Sequence, residues 1–91
     1  NHQELLLNKT ARRNKLLGLW AAEKLGKSGA EADAYAKAVV VADFEEAGDE
    51  DVVRKVKTDF AAGNVAIADT EIRRIMTELL IRAAEEIQAG R

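Results

Sequence analysis

Leu25-Gly26-Lys27-Ser28-Gly29-Ala30-Glu31 reads as the stop of one helix followed at once by the start of another. Glycine has no Cβ to clash in the left-handed conformation that ends a helix, so Gly26 suits that position. Ser28 and Glu31 have the spacing of a capping box, in which serine and glutamate satisfy two orphan backbone donors of the helix they open. The same stretch contains Gly26-Lys27-Ser28, the tail of a nucleotide-binding loop. It lacks the first glycine of that loop at the required spacing, and a helix rather than a strand precedes it. A helix stop and a capping box account for every residue.

Outward from this break, the remaining glycines punctuate the chain in the same way. Gly48, Gly63 and Gly90 each fall just past a periodic stretch, where a left-handed residue belongs. Helices are therefore expected at about 4–25, 30–46, 50–62 and 70–89, and no proline interrupts them. In the first, Leu16, Leu17, Leu19, Trp20 and Leu25 form a broad apolar face, with Arg12, Arg13, Lys15 and Lys24 largely off it. The second carries a stripe of Ala32, Tyr35, Ala36, Val39, Val40 and Phe44 at helical spacing. Its Val39-Val40-Val41 run favours strand locally, but the flanking alanines and the spacing outweigh it.

Asp49 and Asp69 are natural N-caps for the third and fourth helices. Val52, Val56 and Phe60 give the third its buried side. Val65 and Ile67 are expected to tuck under the bundle. Ile72, Ile75, Met76, Leu79, Ala83 and Ile87 line the fourth. Gly18 costs about 1 kcal/mol relative to alanine in a helix interior, and close approach by a neighbouring helix is a sufficient reason for it. Four amphipathic helices, short connections and no strand imply an all-α fold, a small four-helix bundle with a long first helix. Residues 1–10 read as an N-terminal arm and residues 11–91 as a single four-helix domain.

Composition narrows the function. A chain of 91 residues with no cysteine has no disulfide framework and no thiolate metal site. Alanine supplies 17 residues, so the core must be built from few large side chains. There is no apolar run long enough to cross a membrane, and membrane insertion is not expected. The net charge of −2 hides an uneven distribution. Residues 1–27 are basic, with Lys9, Arg12, Arg13, Lys15, Lys24 and Lys27 against Glu4 and Glu23, whereas residues 28–71 are strongly acidic. A basic head suits an acidic partner, or attraction to the chain's own acidic half.

Chemistry finds little purchase. The acids Asp43, Glu45, Glu46, Asp49, Glu50 and Asp51 lack the ligand spacing of a calcium loop, and helix-dipole complementation explains them. His2, the single histidine, lies at a terminus and has no acid–base partner in the pattern. No carboxylate falls in an apolar setting that would raise its pKa. No catalytic residue, metal or cofactor is indicated, and an enzyme is not expected. Arg12, Arg13, Arg73 and Arg74 could contact phosphates as a small helical nucleotide- or nucleic-acid-binding module. A pI near 5.4 is low for a dedicated nucleic-acid binder. A helical adaptor is the other alternative.

The run Ala11-Arg12-Arg13-Asn14-Lys15-Leu16-Leu17-Gly18-Leu19-Trp20-Ala21-Ala22-Glu23-Lys24-Leu25-Gly26 resembles the ATPase inhibitor subunit zeta family of alpha-proteobacteria, long catalogued as a domain of unknown function. Tyr35-Ala36-Lys37, Ala42-Asp43-Phe44-Glu45-Glu46, Gly48-Asp49-Glu50-Asp51-Val52 and Ile72-Arg73-Arg74 carry the likeness along the chain. The resemblance implies a four-helix bundle that binds the catalytic head of the F-type ATP synthase. It also implies that an N-terminal segment blocks ATP hydrolysis by wedging into a catalytic interface. It further implies a cytoplasmic regulatory protein, peripherally associated with the membrane-bound synthase and expected to be monomeric alone. Leu5, Leu6, Lys9, Arg12, Arg13 and Lys15 are the candidate partner-binding residues. The family's arm normally extends further before the alanine-arginine-arginine run, so residues 1–10 are expected to be a shortened or truncated arm. Ala47 stands where a proline is common.

Overall fold

The computed structural model describes the backbone of residues 2–44 and 48–90, and the side chains from residue 8 onward within those spans. Four helices follow in order: α1 (His2–Lys24), α2 (Gly29–Ala42), α3 (Glu50–Ala62) and α4 (Asp69–Gln88). No strand occurs among the described residues. The chain is a small all-α four-helix bundle in which α1 packs against each of the other three. Leu17 and Ala21 of α1, Val39 of α2, Val52, Val53, Val56 and Phe60 of α3, and Ile72 and Met76 of α4 meet in one buried cluster. Trp20 lies against it, its ring 5.7 Å from that of Phe60 in an edge-to-face contact. Val65 and Ile67 of the α3–α4 connection also pack on the cluster.

Three contacts set the register of α1. Gly18 lies against Ala36, where an added Cβ would stand 2.5 Å from the Ala36 Cα. Arg13 reaches Asp49, next to the start of α3. Arg12 reaches Glu86, near the end of α4. The end of α2, the start of α3 and the end of α4 therefore lie at the level of Arg12 and Arg13. The turns of α1 before that level run on beyond the described ends of the other helices, by roughly 10 Å at 1.5 Å per residue.

The helix termini follow the sequence in part. After α1, Lys27 N–H donates to the Ala22 carbonyl and Gly26 N–H to Glu23. These are the paired bonds of a Schellman stop, with Gly26 at φ +78°. After α3 the same motif is shifted by one residue: Val65 N–H donates to Phe60 and Asn64 N–H to Ala61. Asn64, not Gly63, takes the left-handed conformation, at φ +59°. A Cβ at Gly63 would come within 2.7 Å of the Leu25 Cδ2, a contact the leucine side chain can relieve by moving.

The expected caps are corrected too. Ser28 precedes α2 in extended backbone, but its side chain makes no cap hydrogen bond. Asp49 makes none either, because Arg13 holds its carboxylate. Ala68 is the N-cap of α4, and Asp69, already inside the helix, pairs with Lys57. α2 stops at Ala42 instead of continuing to 46; residues 45 and 46 of that expected span lie outside the described residues.

Gly18→Ala is expected to lower stability by about 1–3 kcal/mol through overpacking against Ala36, despite the gain of about 1 kcal/mol in helix propensity. Asn64→Gly is expected to raise it by a few tenths of a kcal/mol or more by removing the strain of a side chain at positive φ. Thermal unfolding followed by circular dichroism reads both. An unchanged or higher midpoint for Gly18→Ala would show that the two helices are free to separate at this point.

Candidate functional site

The basic first helix carries most of the candidate binding residues, and the bundle sorts them by position around it. Residues 12, 15, 16 and 19 share the outer side of α1, whereas 13, 14, 17 and 21 face inward at the complementary helical spacing. Lys15 is exposed and Lys9 half-buried, and neither has an ion-pair partner among the described residues. Arg12 pairs with Glu86 at 3.4 Å on the surface. Leu5 and Leu6 lie on the first turns of α1, and their side chains fall outside those described.

Arg13 departs from the expectation that it lies off the apolar face: it is 3% exposed. One of its guanidinium nitrogens donates to Asp49 Oδ1 at 2.8 Å, and its Nε donates to Asn14 Oδ1 at 2.9 Å. Asn14 is buried as well, and Asp51 is 3% exposed at the start of α3. The Asp43 carboxyl, just past the end of α2, lies within the influence of Asn14 and Arg13. Its Oδ1 is enclosed without a hydrogen-bond partner. A polar cluster thus ties α1 to the acidic segment between α2 and α3. It uses the Arg13 charge internally, which removes that guanidinium from the surface a partner meets.

The cluster moves two carboxyl groups in opposite directions. Burial raises the Asp43 pKa above its usual 3.8, and Asp51 adds to the rise, while the Asn14 amide and Arg13 oppose it. The Arg13 hydrogen bond lowers that of Asp49. Asp43 therefore overturns the expectation that no carboxylate sits in a setting that raises its pKa. Elsewhere burial first, and then Asp59, raise the Tyr35 hydroxyl. Its proton is donated to Asp59 Oδ2 at 2.8 Å, and Lys55 donates to the same oxygen at 3.0 Å. This ties α2 to α3.

The other candidate chemistries are largely absorbed by pairing. Arg73 grips Glu50 through both terminal nitrogens, and Arg74 bridges Glu71 and Glu78, so both arginines proposed for phosphate contact face carboxylates. Among the described residues, no group of three or more acidic or histidine side chains converges as a metal site. Also among them, no helix is long and apolar enough to cross a membrane.

Sequence reasoning missed the outer apolar side of α2. Phe44, expected in the buried stripe, is 77% exposed, and Val41 is 61% exposed. Phe44 stands one turn beyond Val40 and Val41, past the end of α2 at Ala42, on the outer side of the helix and not on the side that Ala36, Val39 and Ala42 turn inward. The buried Asn14 and Asp51 were missed too, since no single sequence shows which polar residues a distant segment will enclose.

A family model described as ATPase inhibitor subunit zeta matches residues 1–86. Among solved structures, one determined by solution NMR is similar with 48% sequence identity and a TM-score of 0.83. The match covers 93% of this chain and 96% of that one. No curated protein matches the sequence.

The two carboxyl shifts have opposite consequences for stability. A folded-state pKa above the unfolded one means that the native chain binds the proton more tightly, so the Asp43 contribution weakens as pH rises through that range. Asp43→Asn is expected to stabilise the protein at pH 7 by no more than about half a kcal/mol, because solvent screens a carboxylate that is only partly enclosed, with the advantage disappearing below the ordinary carboxylate range. A depressed pKa gives the reverse: the Asp49 contribution is present above the usual value and lost as pH falls through the lowered one. Asp49→Asn is expected to cost about 1–2 kcal/mol at pH 7, less than a fully buried pair because Asp49 itself is half exposed. Urea unfolding of both variants at pH 7 and pH 3 measures the two signs.

Proposed function

The chain belongs to the ATPase inhibitor subunit zeta family, and from that premise we propose that it is a non-enzymatic regulator that binds the catalytic head of the F-type ATP synthase and restrains ATP hydrolysis. The family match over nearly the whole chain carries the reading. The layout of α1 supports it. A helical segment that extends past its bundle, with Lys9, Arg12 and Lys15 at its base, suits insertion into a groove between protein subunits. The bundle behind it acts as a rigid holder that keeps the segment near its site.

Cations govern this docking through steering and register. Arg12 exchanges its exposed pairing with Glu86 for a partner carboxylate at little cost, since surface pairs are worth about 0–1 kcal/mol. Arg13 has a different role. Its charge holds Asp49 beside the start of α3, which fixes the rotation of α1 against that helix. A nucleotide- or nucleic-acid-binding module is disfavoured by the pairing of Arg73 and Arg74 with carboxylates. Weak retention on heparin at physiological salt is the matching expectation.

Titration of a matching isolated catalytic head with this chain is expected to slow ATP hydrolysis. Lys9→Glu, Arg12→Glu and Lys15→Glu together should weaken association by about tenfold or more at low salt, and by less at high salt. Arg13→Gln should instead lower thermal stability. Turnover unaffected by saturating chain, or equal loss of binding at both salt concentrations, would contradict the respective part of the reading.

A further inference from the structure

α1 and α2 are apolar on two sides. Leu17, Ala21, Ala36 and Val39 face the core. Leu16 and Leu19 on α1, and Val40 on α2, lie on the outer side and are only half-buried. Val41 and Phe44 continue this side in the open. A bundle helix needs one apolar face for its core, so a second one marks a surface that something else covers. Two open hollows, of about 530 and 540 Å³, lie along it and share Lys15 and Val40. They form one trough running from α2 across α1 to Glu86 on α4.

The trough's charges are unbalanced. At its α4 end Arg12 and Glu86 neutralise each other. Lys15 stands between the two hollows and Lys37 on the α2 side, both exposed and neither in an ion pair among the described residues. The α3 and α4 cations Lys55, Lys57, Arg73, Arg74 and Arg82 all have carboxylate partners. Asp33 is the one acid on the α2 rim. Unneutralised positive charge thus flanks uncovered apolar side chains.

The geometry points to this trough as a second docking surface, fitted to an acidic amphipathic helix of the ATPase. Such a helix sets its apolar side on Leu16, Val40 and Val41 and its carboxylates on Lys15 and Lys37. The identity of the partner rests on the proposed function; the surface itself rests on the α1–α2 face. Two contacts on one rigid body reinforce each other, because the first raises the effective concentration of the second. The bundle then contributes affinity, while the N-terminal segment contributes inhibition.

The test measures binding to an immobilised matching catalytic head, and ATP hydrolysis at saturation, for the wild type and single variants. Val41→Asp and Lys37→Glu are at exposed positions and should fold normally, which circular dichroism checks. Each is expected to raise Kd by about tenfold while full inhibition is still reached at saturation. Asp33→Lys should lower Kd severalfold at low salt. Ile81→Asp, at an exposed position of α4 outside the trough lining, should change nothing. Wild-type affinity in Val41→Asp and Lys37→Glu overturns the trough and leaves the inhibitor reading standing. Tight binding without inhibition, weakened by Val41→Asp, sinks the N-terminal mechanism and leaves the trough. Absence of binding to the head by the wild type overturns both. A dimer of the chain in sedimentation, lost in Val41→Asp, makes a second copy the occupant and overturns the assignment to an ATPase helix.

Discussion

At Gly18 the backbone of α1 meets the backbone of α2, with no room for even a methyl group between them. Helices in contact usually keep 8–10 Å between axes because side chains interpose. Glycine against alanine removes that spacer and sets both the distance and the register of the pair. Leu17 and Ala21 are thereby held beside Val39, and the end of α2 is brought level with Arg12 and Arg13. Since α1 touches all three other helices, the placement of this one pair propagates through the bundle. A core with so many alanines depends on such approaches, because small side chains fill space only when backbones come close.

Arg13 is the electrostatic counterpart of that contact. Withdrawing a guanidinium from water is expensive unless hydrogen bonds and a counter-charge replace the solvent. Asp49 and Asn14 do so, which fixes the start of α3 against α1. The cluster therefore closes the bundle at the level where α1 runs on. Above that level α1 belongs to the core; below it the backbone of the helix continues past the described ends of the other three. The two arginines at the junction divide the tasks. Arg12 stays near the surface on a replaceable partner, while Arg13 is committed inside.

The fold was largely legible because its signals are local. Gly26 ends α1 through backbone chemistry that requires only neighbouring residues, and the spacing of Val52, Val56 and Phe60 marks the inner side of α3 wherever that helix goes. Boundaries were less secure. Gly63 read as the left-handed stop of α3, yet Asn64 takes that conformation, because the Schellman bonds close one residue later, from Val65 to Phe60 and from Asn64 to Ala61. Asp49 read as a cap, but a charged partner from α1 outcompetes the backbone N–H groups for its carboxylate. Phe44 read as core because a helical stripe was extended beyond the end of its helix.

By itself the sequence determined the number and type of helices, the position of the first break, the core-facing stripes, and the family likeness that identifies an inhibitor subunit. Those properties depend on short-range periodicity, on backbone conformational preference and on the identity of long runs of residues. Only the tertiary structure decided which of two adjacent arginines is buried, which carboxyl group loses its solvent, and which apolar residues of α2 remain uncovered. Such outcomes depend on the environment that distant segments create. Arg13 and Asp49 are 36 positions apart in the chain, and desolvation of a charge is a property of everything packed around it.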